Sequence, residues 1–451
     1  MRYRFAFVAV LGLGCGVSLP FPRPSGPEPL AGVWEGVITS GSATHSLRLS
    51  LQPDSTGYRG SVDLPDQYGQ GYDVKNLRID DGAIFFEFPD VLPPASFSGT
   101  LDGGRIHGTF TTQSAAGPST GTFELTRWSG EAIPYRTQDV SFASGDVPLR
   151  GTLFIPNSPG PHPAVVLLHG SGPQTRESHI YYFADQFARN GIAALIYDKR
   201  NTGRTDIPAT QQGGGTLSDF ANDATAAVRY LRAFPAIVDP RRIGLWGSSQ
   251  GAWIAPMAAE RIDGVAFLVL VSGGGVSPAR HALHEEEVRL RARGLTGTEF
   301  QRAMSLVRLA HTYVRSQSNA AWNRFERELD RSRGEPWFAA IDSFPIKLPR
   351  VSPAWKDPDL DYDPVPLLER LRLPVLVVLG AEDDVTPITA RVTAAALRKA
   401  GNTDYLIRQI PGADHGLWVT PADDDSWLSQ RPATGWVEEM IAWVTARARQ
   451  R

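Results

Sequence analysis

A single cysteine, Cys15, in a chain of 451 residues leaves no partner for an intrachain disulfide, so the core must hold the fold and cysteine usage says nothing of the compartment. An excess of one charge is missing too: 45 lysines and arginines face 48 aspartates and glutamates, with no basic stripe or block. Nucleic acid and anionic membrane surfaces are therefore not expected partners. There is no long low-complexity tract. Near the start, the apolar run 5–13 falls well short of the ~20 residues that a membrane helix needs, so no stable membrane span is expected.

What is present begins with Met1-Arg-Tyr-Arg4 and that short apolar run, the layout of a secretory signal. Residues 1–19 are read as a signal segment and the protein as exported, periplasmic or secreted. Cys15 follows Leu11-Gly-Leu-Gly14, similar to a bacterial lipoprotein cleavage site, although Gly12 stands where leucine is usual. Lipidation of Cys15 is the minor alternative. The proline-rich stretch 20–29 reads as a stiff linker.

Residues 30–130 alternate apolar and polar positions between glycine and proline punctuation, which predicts seven or eight short antiparallel strands in a small barrel or sandwich. Leu47, Leu49 and Leu51 share one face, as do Ile84, Phe86 and Phe88, while Asp80-Asp-Gly82 and Asp102-Gly-Gly104 are turn sequences. Trp34, Phe85, Phe86 and Phe88 are read as core rather than as a ligand platform. No histidine, cysteine and carboxylate cluster with metal spacing occurs there.

From residue 134 to 451 the texture changes. After a hairpin over 138–155, continuous apolar runs at 164–168, 192–197, 243–246, 265–271, 375–379 and 405–410 alternate with helix-like segments such as 181–190 and 217–234. Runs buried on both faces and separated by helices predict a mostly parallel sheet wrapped on both sides, with the chemistry at the carboxyl ends of its strands. The stretch 276–364 interrupts this rhythm with helical spacing over 281–293, 298–315 and 319–332. It reads as a helical cap that shapes a pocket and excludes water. Its histidines, His281, His284 and His311, are read as packed or surface residues ahead of working ones. Asp357, Asp359, Asp361 and Asp363 lack the glycine and terminal glutamate of a calcium loop and read as an acidic linker.

Within this domain, Gly247-Ser248-Ser249-Gln250-Gly251 joins an apolar strand to a helix and fits G-x-S-x-G. The glycines are required because a Cβ at either would meet the adjoining strand or helix, and the tight turn pushes the Ser249 hydroxyl out of the sheet. A serine needs a base to remove its proton, and the base needs a carboxylate to fix its tautomer. Asp383 follows the run 375–379, and His415 follows the run 405–410 in a glycine-flanked loop. Asp383 is favoured over Asp384 as the orienting acid, Ser248 is off the centre of its motif, and Asp414 is set aside as the sequence neighbour of His415. The oxyanion formed on attack needs donors in place: the amide of Gln250, and one from His169-Gly-Ser-Gly-Pro173, assigned to Ser171.

With these residues in view, residues 138–446 resemble the serine α/β-hydrolase superfamily, and in detail bacterial EstD-type esterases, described as prolyl-oligopeptidase-like or dienelactone-hydrolase-like. The resemblance rests on LHGSGPQTRE (168–177), YDKRNTGRTD (197–206), GLWGSSQGAW (244–253), VLGAEDDVTP (378–387) and PGADHG (411–416). An amino-terminal β domain opening like Leu30-Ala-Gly-Val-Trp-Glu-Gly36 also occurs in similar proteins. The resemblance implies a carboxylic ester hydrolase with Ser249, Asp383 and His415 as triad. Ser248 and Gln250 stand where such enzymes often carry His and Glu, and Asn201 and Thr205 replace a usual Gly and Ser. Neither a metal nor an organic cofactor is expected, the partner being a small-molecule ester. A serine peptidase, a thioesterase, or a binding protein for a carbohydrate, lipid or wall component remain open, as does the oligomeric state.

Overall fold

A computed structural model of the chain describes residues 30–449, apart from 42, 56, 89–93, 103, 115–116, 131, 177–178, 204–212, 342–345, 347–357 and 421–430. The signal segment with Cys15, the linker, Thr205 and Asp357 lie outside the described residues.

The amino-terminal domain is one antiparallel sheet of nine strands rather than a sandwich of two. They are β1 (Gly32–Ser40), β2 (Ala43–Asp54), β3 (Gly57–Leu64), β4 (Gly69–Asp73), β5 (Lys75–Asp80), β6 (Ala83–Phe88), β7 (Ala95–Asp102), β8 (Arg105–Ser114) and β9 (Gly117–Arg127). Their order is β4-β3-β2-β1-β9-β8-β7-β6-β5, and the sheet curls into a nearly closed barrel. Val74, between the two edge strands, donates its N–H to the Gly60 carbonyl of β3. Side chains of alternate residues fill the interior, among them Trp34, Leu47, Leu49, Leu51, Phe86, Phe88, Phe97 and Phe123. Asp81 and Gly82 both hold positive φ, +42° and +81°, as a tight two-residue hairpin between β5 and β6 requires. Phe85 departs from its core reading: it falls on the opposite face from Ile84, Phe86 and Phe88, is only half-buried, and carries the Arg78 guanidinium over its ring.

The second domain is an eight-stranded sheet in the order β10-β11-β13-β12-β14-β15-β16-β17. The antiparallel hairpin β10 (Tyr135–Ser144) and β11 (Val147–Pro156) forms one edge. The other strands, β12 (His162–Leu168), β13 (Ala193–Tyr197), β14 (Val238–Ser248), β15 (Leu268–Val271), β16 (Val375–Gly380) and β17 (Tyr405–Ile410), run parallel to one another. Alternate strand residues enter two cores. Ala164, Val166 and Leu168 face α2 (Leu217–Arg232), α3 (Gly251–Arg261) and α8 (Thr386–Lys399). Val165 and Leu167 face α1 (His179–Arg189) and α9 (Trp436–Arg449). Burial on both faces explains why these strands read as unbroken apolar runs.

Between β15 and β16 stand α4 (Pro278–Ala292), α5 (Gly297–Ser316) and α6 (Asn319–Ser332), and a short helix, α7 (Val365–Leu368), precedes β16. Ser277 and Ser318 cap α4 and α6 through their hydroxyls, satisfying amides that a helix start leaves open. The three helices share a hydrophobic core of their own, with Leu290, Phe300, Met304, Val307 and Phe325 among its members. The acidic residues beyond it serve separate partners rather than one ion. Asp359 accepts from the Leu217 amide at 2.5 Å, Asp361 pairs with Arg315 at 2.6 Å, and Asp363 accepts from the Val365 amide at 3.0 Å.

Candidate active site

The first working part is built at the junction of β14 and α3. Ser249 holds φ at +53°, a left-handed conformation that is strained for a non-glycine residue. A Cβ on Gly247 would lie 2.1 Å from the Gly251 carbonyl, and one on Gly251 would lie 2.6 Å from the Leu168 carbonyl at the end of β12. Both flanking positions therefore need glycine, because the strand, the turn and the helix pass too close for any side chain. The Ser249 amide donates to Val271 at 2.8 Å, which ties the turn to β15.

Two further strand ends converge on this serine. His415, past β17, places Nε2 at 3.1 Å from Ser249 Oγ and Nδ1 at 2.7 Å from Asp383 Oδ2. Asp383, past β16, is buried, whereas the His415 side chain remains 45% exposed and so within reach of a substrate from solvent. Partial burial disfavours the charged imidazole, but the hydrogen bond to Asp383 and its charge, with Glu285 and Asp414 further off, outweigh it. The His415 pKa is raised above its ordinary value. Asp384 and Ser248 take no part in this relay. Asp414 instead accepts from the Gly416 and Trp418 amides, at 2.8 and 2.9 Å, and shapes the loop that carries His415.

The loop 169–173 after β12 borders the serine as well: a Cβ on Gly170 would lie 3.5 Å from Ser249 Cβ. Neither the Ser171 nor the Gln250 amide donates a hydrogen bond to another described residue. A different cavity of about 710 Å³, lined in part by Phe142, Arg200, Arg229 and Tyr230, holds no nucleophile beside a base. Among the described residues no group of three or more histidines, cysteines and carboxylates is arranged to hold a metal ion.

The geometry thus links a strained serine, a histidine and a carboxylate in one relay, each on its own strand-end loop of a mostly parallel sheet. The sequence model of the Alpha/beta hydrolase family matches residues 165–425. The chain belongs to this family.

Among curated relatives, the hydrolase is 34% identical over 122 residues to the quorum-quenching protein AidA of Acinetobacter baumannii, covering 26% of this chain and 38% of that protein. It is 37% identical over 116 residues to the thiohydrolase aneE of Aspergillus aculeatus, covering 25% and 35%. Esterase EstD of Thermotoga maritima is 28% identical over 263 residues, covering 56% and 54%. The chain thus spans roughly a third to a half of the length of these relatives.

Two features of the hydrolase's site were not assigned a role in the sequence. Lys199, inside the quoted stretch 197–206, is buried and donates through Nζ to the Gly170 carbonyl and to Gln250 Oε1, both at 2.7 Å. From the helical insertion, α4 presents His281 edge-on to His415, with ring centroids 6.1 Å apart, and Glu285 one turn further on. Burial, with His415 as a second cause, lowers the His281 pKa to about 4, so it stays neutral at assay pH. His311 is buried within the insertion, where burial and Arg315 lower its pKa to about 4. Asn201 adopts φ of +63°, the left-handed conformation that asparagine tolerates in place of the usual glycine.

Proposed function

We propose that this hydrolase cleaves carboxylic esters through a Ser249 acyl-enzyme. In this reading His415 Nε2 takes the Ser249 proton as Oγ attacks the ester carbonyl carbon. The carbonyl electron pair moves onto oxygen, which the Gln250 and Ser171 amides receive. Collapse of that intermediate breaks the bond to the leaving alkoxide, which takes the proton from His415. Water, deprotonated by His415, then releases the acid and regenerates Ser249. Asp383 holds the imidazole with Nδ1–H toward itself throughout. The observation that carries the proposal is the unbroken relay of 2.7 Å and 3.1 Å onto a serine at positive φ.

The test is turnover of p-nitrophenyl esters from acetate to long acyl chains. The wild type should hydrolyse some members of the series, and Ser249→Ala should lose about 10⁴-fold or more in kcat. Equal rates in the two proteins would remove Ser249 from the mechanism. A thioester substrate is the second reading, favoured by the thiohydrolase relative, and the same triad serves it. Rates on matched ester and thioester pairs decide between them. We also propose export through residues 1–19, which the amino-terminal sequence of the mature protein checks.

A further inference from the structure

We infer that Lys199 is a positioning residue for the oxyanion site, tying together the two loops that offer its amide donors. The inference rests on the ester-hydrolase reading and extends it to a residue outside the triad.

The argument starts from an unfavourable placement. Lys199 is 4% exposed, and a buried ammonium is costly unless a charge compensates it. Among the described residues no carboxylate forms an ion pair with it. Its partners are two neutral oxygens, the Gly170 carbonyl and Gln250 Oε1, and the face of the Phe220 ring, 4.5 Å away. Burial accordingly lowers its pKa to about 7. If the position served packing alone, an apolar side chain would fill it at lower cost.

Its two acceptors are where they matter for the chemistry. The Gly170 carbonyl belongs to the same peptide unit as the Ser171 N–H. Because that unit is planar and trans, a donor gripping the carbonyl fixes the direction of the N–H at its other end. The same contact polarises the peptide and makes the N–H a stronger donor. On the other side, Lys199 holds the side chain of Gln250, whose backbone amide is the second donor. The loop is fastened to the same strand end at other points: the Lys199 amide donates to the Gln174 carbonyl at 3.0 Å, and His169 Nε2 lies 2.7 Å from the Tyr197 carbonyl. Among the described residues, Lys199 alone joins both halves of the proposed oxyanion site through one group.

The experiment compares wild type, Ser249→Ala, Lys199→Met, Gln250→Met and the double variant Lys199→Met/Gln250→Met. Each is assayed for kcat and KM on p-nitrophenyl acetate and for inhibition by a trifluoromethyl ketone, which adds to the serine as a tetrahedral mimic. Lys199→Met should lower kcat by about 10- to 100-fold, less than or near the loss of one whole oxyanion donor, with KM within about threefold. The ketone inhibition constant should rise by the same factor. Gln250→Met should act in the same direction but less, and the double variant should lose less than the product of the single losses, because the two act through one contact. A kcat within twofold of wild type, a loss confined to KM, or unchanged ketone affinity beside a reduced kcat would overturn the inference. Should Lys199→Met fail to fold, ketone affinity in Gln250→Met decides the matter by the same criterion. Wild-type turnover that Ser249→Ala abolishes while Lys199→Met keeps its kcat defeats this inference alone. A wild type without turnover defeats the ester-hydrolase reading and this inference with it.

Discussion

In the proposed mechanism His415 has two demands on it that pull in opposite directions: it must be neutral to take a proton from Ser249, and its surroundings favour the charged form. Burial opposes the charge, but the hydrogen bond to Asp383 and its charge, with Glu285 and Asp414 adding to them, outweigh it, so the pKa is raised from the 6.5 of an ordinary imidazole. A base with a raised pKa loses its function at a higher pH on the way down. The acid limb of kcat/KM should therefore have its midpoint above pH 6.5. Glu285→Gln removes one acidic neighbour while leaving the Asp383 hydrogen bond in place, so the midpoint should move to lower pH. A midpoint unmoved in that variant would show that Glu285 does not act on the base. That Ser249, Asp383 and His415 come together was legible in the sequence because each stands at or just past the end of a strand, and strand ends are where a parallel sheet gathers its loops. Lys199 was not, since its meaning depends on the loops after β12 and β14 meeting in space. Phe85 was misread for a simpler reason: a strand side chain one place off the buried set faces outward, whatever its hydrophobicity.

At the level of elements, the insertion between β15 and β16 is a packed unit and not a loose strap. Phe325 is fully buried in its core, and that core is separate from the two that line the sheet. Phe325→Ala should cost about 3–5 kcal/mol of stability within the insertion through the cavity it leaves. Hydrogen exchange should then quicken across α5 and α6 while β12 to β16 keep their protection, and the acyl-chain preference among p-nitrophenyl esters should broaden as α4 loses support. Equal loss of protection through the sheet would mean that insertion and sheet unfold as one. The helices were readable from their spacing, as were the parallel strands from their unbroken apolar runs. The single nine-stranded sheet was not separable from a sandwich, because alternation records which face is buried and not which strand pairs with which.

On the scale of the whole molecule, one aromatic residue of the barrel that no sequence pattern singles out is built into a core of the hydrolase domain. Tyr68, between β3 and β4, holds φ at +52° and is buried in the same core as Phe183, Trp246 and Trp436. Its hydroxyl accepts from Trp436 Nε1 at 2.6 Å and donates to the Ala433 carbonyl at 3.2 Å. The Ala433 amide in turn donates to the Leu417 carbonyl at 2.9 Å, two residues beyond His415, and the Trp418 ring lies 5.7 Å from that of Tyr68. Contacts from the barrel thus reach the loop that carries His415. If this joint is what couples the domains, the wild type should unfold in a single calorimetric transition, and Tyr68→Ala should split it. The truncation leaves a large cavity, with a cost of about 3 kcal/mol or more, and should lower kcat as the His415 loop loosens. Tyr68→Phe keeps the ring and strands two hydrogen-bonding groups, so it should cost about 1–3 kcal/mol and leave most of kcat in place. Two transitions already present in the wild type, with the hydrolase one unmoved by Tyr68→Ala, would show instead that the barrel rests on the hydrolase domain without steadying its chemistry.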